Sequence, residues 1–155
     1  MNGRRSPNAN QMLQGTITGI TLGTSAPKIF RGLVGAAAFG TKAIVDHFVN
    51  EGVRIDNVIG IGGIALKSPF VMQTLSDVLN KPIKVCNTNQ ACALGAAMFA
   101  ATAAGIYNKV EDAIDAMNSG FAKEYIPNAE NTEIYARIYE KYIKVGQFTE
   151  KKLFN

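Results

Sequence analysis

The feature that most limits the fold is a short apolar strand followed by a glycine-rich loop and a helix. Residues 57–61 read NVIGI, and a run that is apolar on both faces is typical of a strand buried in a parallel sheet. Ser68 and Pro69 predict the start of a helix, because serine is a favoured cap and proline fits the first turn. A second short strand is predicted over 83–86. Two strands joined by a helix form a right-handed βαβ unit, so the predicted fold class is α/β.

Helical periodicity accounts for most of the remaining chain. Apolar residues recur at helical spacing over 27–50, and Gly52 is the stop signal of this helix. An uncharged, alanine-rich run over 90–107 predicts another helix. The other segments are predicted from their patterns as follows: a loop over 1–16, a short strand over 17–22, a helix over 110–117, a loop over 118–127 and a last helix from about Asn131.

The length of 155 residues fits a single domain over 1–155. We divide it into a loop at 1–16, an α/β core at 17–118 and a C-terminal helical extension at 119–155. The predicted sheet is short of strands, since sheets usually contain more than two or three. The helices also have broad apolar faces that so small a sheet does not cover. We therefore expect an incomplete sheet with several flanking helices, which other residues or a partner complete.

Composition excludes several classes of protein. Apolar residues make up 47% of the chain and charged residues 18%, which excludes a disordered chain. The net charge is +4, but the basic residues are scattered and form no nucleic-acid motif, so we expect no nucleic-acid partner. The first ten residues lack the apolar segment of a secretory signal. Cys86 and Cys92 have no zinc-site spacing and make no disulfide framework, so a reduced, cytoplasmic setting is expected.

The uncharged run over 90–107 is long enough to be tested as a membrane span. It consists mostly of alanine and glycine and has few bulky apolar residues, so a closely packed helix is the better interpretation. No membrane association is expected.

The glycine loop over 60–69, GIGGIALKSP, is the best candidate for a ligand site. A Walker loop is excluded because Leu66, not glycine, precedes Lys67. Gly60, Gly62 and Ala65 fit the dinucleotide pattern, but no acidic residue ends the next strand. A tight turn without a ligand remains an equal alternative, and Lys67 either meets a phosphate or is solvated.

The other residues that could take part in catalysis or metal binding are expected to lie on the surface or to pack in the core. His47, the only histidine, is expected on a helix surface or in packing, and Cys86 and Cys92 are expected to be small buried residues. The tyrosines of the last helix are expected to pack. The acidic candidates for phosphoryl transfer are all expected to be solvent-exposed: Asp46, Asp56, Asp77, Asp112 and Asp115.

Three segments, 2–40, 60–83 and 90–105, resemble in their order and spacing the C-terminal part of the FGGY family of carbohydrate kinases. The resemblance covers about residues 2–118. It implies the C-terminal half of an actin-like (ribonuclease H-like) ATPase domain, in an enzyme with two such domains and a cleft that closes over MgATP and a sugar. The implied activity is ATP-dependent phosphorylation of a pentulose.

The resemblance also assigns residues to the nucleotide site. It implies that Gly62, Gly63, Ile64 and Ala65 lie beside the adenosine and α-phosphate of ATP or ADP, and that Ser68 lies near the adenine. The opening of the alanine-rich helix, residues 90–95, would pack beneath this site. Gly35 occupies a position where relatives tend to have glutamate. This difference puts in doubt any role that the glutamate side chain has in the relatives.

No catalytic residue and no metal ligand is assigned within this chain. It has no Asp-x-Gly-Thr phosphate loop, and nothing matches the segment that carries the family's catalytic aspartate. The resemblance implies that Mg²⁺ and the sugar are bound mainly by another part of the enzyme, so the chain alone is expected to be inactive. The alternative is a non-catalytic actin-like module used for subunit association, and a homo-oligomer is possible.

Overall fold

The computed structural model describes residues 3–153. The elements follow in the order α1 (Ala26–Asn50), β1 (Val58–Gly60), α2 (Gly63–Lys67), α3 (Pro69–Leu79), β2 (Ile83–Cys86), α4 (Ala91–Ala103), α5 (Val110–Met117), β3 (Phe121–Tyr125) and α6 (Ala129–Leu153). They belong to two compact units. The helical unit comprises the described residues of 3–56, 74–81 and 127–153, and the sheet unit comprises Asn57–Gln73 and Pro82–Ile126.

The helical unit is built on the two long helices, α1 and α6. The predicted helix over 27–50 is confirmed, and Gly52 follows it with a φ of 83°, a conformation that glycine adopts without strain. The hydrophobic core of the helical unit contains the buried residues Ala38 and Phe39 of α1 and Val78 of α3. Leu75, Tyr135 and Tyr139 pack against that core.

The segment that precedes α1 contains no strand in the described residues. Arg4 and Asn10 form an isolated antiparallel bridge, and Arg4 donates two side-chain hydrogen bonds, of 3.1 and 3.0 Å, to Glu150 of α6. The strand predicted over 17–22 is wrong, because those residues are exposed and have no strand partner. Their apolar side chains resemble a strand in sequence, but no neighbouring backbone pairs with them.

The sheet unit contains three strands in the order β1-β2-β3. The predicted parallel pairing of the first two strands is confirmed, with Val58 opposite Ile83 and Gly60 opposite Val85. The third strand, β3, runs antiparallel to β2 with a shift of register between Val85 and Cys86. It replaces part of the loop predicted over 118–127, so that prediction is wrong for residues 121–125.

The helices that follow α1 agree with the predictions except for α2. The predicted helices at Pro69, in the alanine-rich run and over 110–117 are confirmed as α3, α4 and α5. The glycine pattern predicts no helix before Ser68, but residues 63–67 form the short helix α2. The predicted last helix is confirmed as α6, which begins two residues earlier than expected.

Helix α4 has no charged residue, yet most of its surface is exposed. Only Met98 of this helix is buried, and two-thirds of Phe99 is exposed. A helix that is apolar all round is normally buried on all sides. Within residues 3–153, no helix is long and apolar enough to cross a membrane.

Candidate functional site

The glycine loop lies where the chain leaves β1 and enters α2. Gly62 precedes the first residue of α2 and has φ 87° and ψ 178°. Only glycine occupies this region of backbone space without strain, because a Cβ would clash with the backbone. The connection between β1 and α2 therefore requires glycine at position 62.

The two neighbouring glycines have different surroundings. A Cβ on Gly60 would lie 2.8 Å from Cε of Met72 and 3.4 Å from Cβ of Ala65, so Gly60 allows close packing. A Cβ on Gly63 would meet no atom of the described residues within 4 Å, and its φ is not in the left-handed region. Neither packing nor backbone conformation explains glycine at position 63. The space above it is open to an incoming molecule.

The remaining predicted residues divide between the surface and the interior. Ile64 is 67% exposed, whereas Ala65 is 5% exposed and packs inward, so only its backbone is available to a ligand. Ser68 is half-buried, and its Oγ accepts a hydrogen bond of 3.4 Å from the backbone N–H of Val71. This bond caps α3 and leaves the hydroxyl proton of Ser68 free to donate.

Lys67 is the last residue of α2 and is exposed. Among the ion pairs and side-chain hydrogen bonds found for the described residues, none involves Lys67. Its ammonium group is therefore not committed to another part of residues 3–153.

A groove of about 230 Å³ on the sheet unit is separate from this loop. Ile59, Lys84, Phe121 and Glu124 contribute to its lining. The Nζ of Lys84 lies 5.5 Å from the centre of the Phe121 ring, which is cation–π geometry. None of the predicted loop residues lines the groove, and no pattern in the sequence indicates it.

The predicted exposure of the acidic residues is wrong for Asp77. It is 2% exposed, and its carboxylate accepts hydrogen bonds from the backbone N–H of Asn128 at 2.8 Å and from Nδ2 of Asn131 at 2.9 Å. Thr132 donates to the backbone carbonyl of Asp77 at 3.1 Å. Asp77 therefore fastens α3 to the start of α6, a contact between residues about fifty positions apart that helical periodicity does not reveal.

The other acidic candidates are exposed or half-buried. Asp56 and Asp115 are exposed, as predicted, whereas Asp46 and Asp112 are half-buried. Their ion pairs are local: Asp46 with Lys42 at 2.8 Å, Asp56 with Arg54 at 2.6 Å and Asp112 with Lys109 at 3.9 Å. In the part of the chain that the structure describes, no three His, Cys, Asp or Glu side chains lie together as a metal site requires.

The sequence predicts the exposure of the histidine correctly but not that of the two cysteines. His47 is exposed on α1, as predicted. Cys86 is half-buried and Cys92 is exposed, so the prediction that both are buried is wrong. Cys92 is the second residue of α4, whose neighbours in the described chain leave it uncovered.

The tyrosines of α6 pack around Phe39, as predicted. The ring of Phe39 lies 6.1 Å from that of Tyr135, 5.7 Å from that of Tyr139 and 5.4 Å from that of Tyr142. Burial, together with the neighbouring carboxylate of Asp46, raises the pKa of Tyr139 to about 12. The hydroxyl of Tyr139 therefore keeps its proton to a higher pH than an ordinary tyrosine does.

Comparison with known proteins shows the family to which this chain belongs. A model described as the FGGY family of carbohydrate kinases, C-terminal domain, matches residues 1–104. A relative named ribulokinase from Vibrio parahaemolyticus is 46% identical over 151 residues, and one from Bacillus licheniformis is 41% identical over 155 residues. Both alignments cover 97% of this chain. They cover only 27% and 28% of the relatives, so the chain spans little more than a quarter of their length.

Solved structures show the same fold at low sequence identity. The ligand-bound xylulose kinase from Lactobacillus acidophilus has a TM-score of 0.82 at 21% identity, covering 96% of this chain and 30% of that one. A xyloylose kinase from Brucella ovis has a TM-score of 0.81 at 18% identity, covering 91% of this chain and 28% of that one. The predicted fold class, part of an actin-like (ribonuclease H-like) α/β domain, is confirmed.

Proposed function

Because the chain belongs to the FGGY family of carbohydrate kinases, we propose that it is the C-terminal, nucleotide-contacting portion of a cytoplasmic, ATP-dependent pentulose kinase of the ribulokinase type. In this proposal the complete enzyme transfers the γ-phosphoryl group of ATP to a pentulose hydroxyl. The relatives named ribulokinase support the choice of sugar class.

The role of this chain is to hold the nucleotide. The loop residues Gly62, Gly63, Ile64, Ala65 and Ser68 contact the adenosine and α-phosphate of ATP or ADP. Phosphoryl transfer depends chiefly on positioning and on electrostatic stabilisation. A loop that fixes the adenosine end of ATP therefore contributes to the reaction although it touches no reacting atom.

The observation that carries the proposal is the open space at Gly63. Gly62 and Gly60 are explained by a positive φ and by the contact with Met72, but Gly63 has no such explanation within the described residues. Close approach of a ligand to the backbone is a physical reason for a glycine at such a position, and the place of Gly63 in the loop after β1 distinguishes it from open glycines within long helices, such as Gly146. The exposure of Ile64 beside it is consistent with a surface that a nucleotide covers.

Mg²⁺ is proposed to be held mainly by residues outside this chain. Mg²⁺ prefers carboxylate and phosphate oxygens. Asp46 and Asp56 lie in local ion pairs and Asp77 lies in the contact between α3 and α6. No three acidic, histidine or cysteine side chains of the described residues lie together as such a site requires. The metal would supply charge neutralisation on the transferred phosphate, and we assign this chain no part in holding it.

The test is to replace Gly63 by valine. A branched side chain would occupy the space proposed for the nucleotide, and overpacking of this kind costs about 1–3 kcal/mol, so ADP affinity should fall about tenfold or more. Gly146→Val is the matched control, because a Cβ there also meets nothing within 4 Å of it in the described chain. Equal ADP affinities for the two variants, measured by calorimetry at unchanged helix content, would overturn the proposed site.

Activity is tested on two proteins. The complete protein encoded by the reading frame that contains this chain should release ADP in a manner that depends on L-ribulose. The 155 residues alone should not, because we assign them no catalytic residue. L-ribulose phosphorylation by the isolated chain would contradict that assignment.

A second candidate function is a non-catalytic, actin-like module for subunit association. The exposed apolar surface of α4 favours it, since apolar surface of this kind is usually covered by a partner. A stable dimer that binds neither ADP nor ATP in sedimentation and calorimetry would favour this module over the kinase.

A further inference from the structure

Helix α2 brings Lys67 close to the open glycine of the loop. Gly63 and Lys67 are the first and last residues of this helix. Residues four apart share one face of a helix, with their Cβ positions about 5–6 Å apart. Helical side chains lean toward the N-terminal end of the helix. The Cα–Cβ bond of Lys67 is therefore tilted toward the turn that carries Gly63, an arrangement that a structureless loop would not produce.

The segment around this turn carries a single charged side chain. Lys67 is the only charged residue between Asn57 and Gln73. Within residues 3–153 its ammonium forms none of the ion pairs found. The lysine therefore supplies an uncompensated positive charge next to a backbone position that has no side chain.

We propose that Lys67 is a further nucleotide-contacting residue, whose ammonium binds a phosphate oxygen of the nucleotide held at Gly63. This inference rests on the proposed function. A flexible ammonium with three donors is a frequent phosphate ligand, and no carboxylate on its own segment competes for it. The contact would make the loop selective for the charged end of the nucleotide, whereas Ser68 and Ile64 serve its adenosine end.

The experiment compares ADP with adenosine, which share a base and a sugar but differ in charge. Binding to the complete protein is measured by calorimetry for the wild type, Lys67→Gln, Lys67→Arg and the control Lys84→Gln. Lys84 is also an exposed lysine of the sheet unit, so its replacement removes the same charge from the same unit. Helix content of each variant is checked by circular dichroism.

Loss of a charge-assisted hydrogen bond should weaken ADP binding about tenfold in Lys67→Gln. Adenosine binding should change less than twofold, Lys67→Arg should retain most of the ADP affinity, and Lys84→Gln should behave as the wild type. The dependence of ADP affinity on salt concentration should also be weaker in Lys67→Gln, because one screened charge interaction has been removed.

Two results would overturn the inference in different ways. If Lys67→Gln and Lys84→Gln bind ADP equally well while the wild type binds both ligands, Lys67 is only solvated and the nucleotide site stands. If the wild type binds neither adenosine nor ADP, the proposed function itself fails, and the role of Lys67 fails with it.

Discussion

Replacing the buried carboxylate of Asp77 should be among the most damaging changes to stability in this chain. The side chain is 2% exposed and accepts hydrogen bonds of 2.8 and 2.9 Å from Asn128 and Asn131. Asp77→Ala removes both acceptor oxygens and leaves the two donors without them. A hydrogen bond to a charged group contributes about 1.5–3 kcal/mol, so the loss of two such bonds should lower the free energy of unfolding by about 3–6 kcal/mol. This is a large fraction of the stability of a typical small domain.

Asp77→Asn should cost less than Asp77→Ala. An asparagine oxygen accepts from the backbone N–H of Asn128, and its amide group donates to the side-chain oxygen of Asn131 once that amide turns over. Both of these hydrogen bonds are kept, and the contribution of the charge to them is lost. We expect a loss of about 1–2 kcal/mol, because hydrogen bonds between neutral groups are weaker than those to charged groups.

Urea denaturation followed by circular dichroism measures both losses. With a slope of about 2 kcal/mol per molar urea, the midpoint should fall by about 2 M in Asp77→Ala and by less than about 1 M in Asp77→Asn. Asp115→Ala is the control, since Asp115 is an exposed aspartate on a helix and surface substitutions usually stay within about 0.5 kcal/mol. If Asp77→Ala and Asp115→Ala have the same midpoint, the contact between α3 and the start of α6 does not stabilise the fold, and our reasoning is refuted.

Two further predictions concern the glycine loop and the aromatic cluster. Gly62→Ala should lower the free energy of unfolding by about 1–3 kcal/mol, because its φ of 87° strains any residue with a Cβ. Gly63→Ala should leave it unchanged or slightly higher, and equal urea midpoints for the two variants would argue against the described loop. Since the pKa of Tyr139 is raised from 10.0 to about 12, the unfolded chain ionises first, so wild-type stability should fall as the pH rises from about 10 to about 12. Tyr139→Phe should lack this part of the loss, and urea midpoints that fall equally steeply with pH in both proteins would contradict the assigned burial.

Local patterns in the sequence predict the elements whose signals are local. Helical periodicity predicts α1, and the Ser68-Pro69 pair predicts the start of α3. The two parallel strands are predictable because each is a short, apolar run next to turn residues. The glycine loop is recognisable for a similar reason, since the strand-like run on one side of it and the helix start on the other are both visible in the sequence.

Contacts between distant residues explain most of the failures. Strand β3 has the sequence FAKEY, which shows no alternation of apolar residues, and only its pairing with β2 makes it a strand. The run over 17–22 has the opposite property, a strand-like composition without a partner. Asp77 resembles any polar residue of an amphipathic helix until Asn128 and Asn131 are placed beside it. Lys67 is already visible in the sequence as a possible phosphate contact, but its place on the same helix face as Gly63 follows only once residues 63–67 prove to be helical.

The exposed, uncharged surface of α4 should determine how strongly this chain self-associates in solution. The net charge of +4 that keeps copies of the protein apart is carried elsewhere, because residues 90–107 contain no charged side chain. Two such helix surfaces approach without electrostatic repulsion, and at about 0.1 M salt the repulsion between the remaining faces is largely screened beyond about 10 Å. Ionic strength should therefore set the protein concentration at which this chain begins to self-associate in solution.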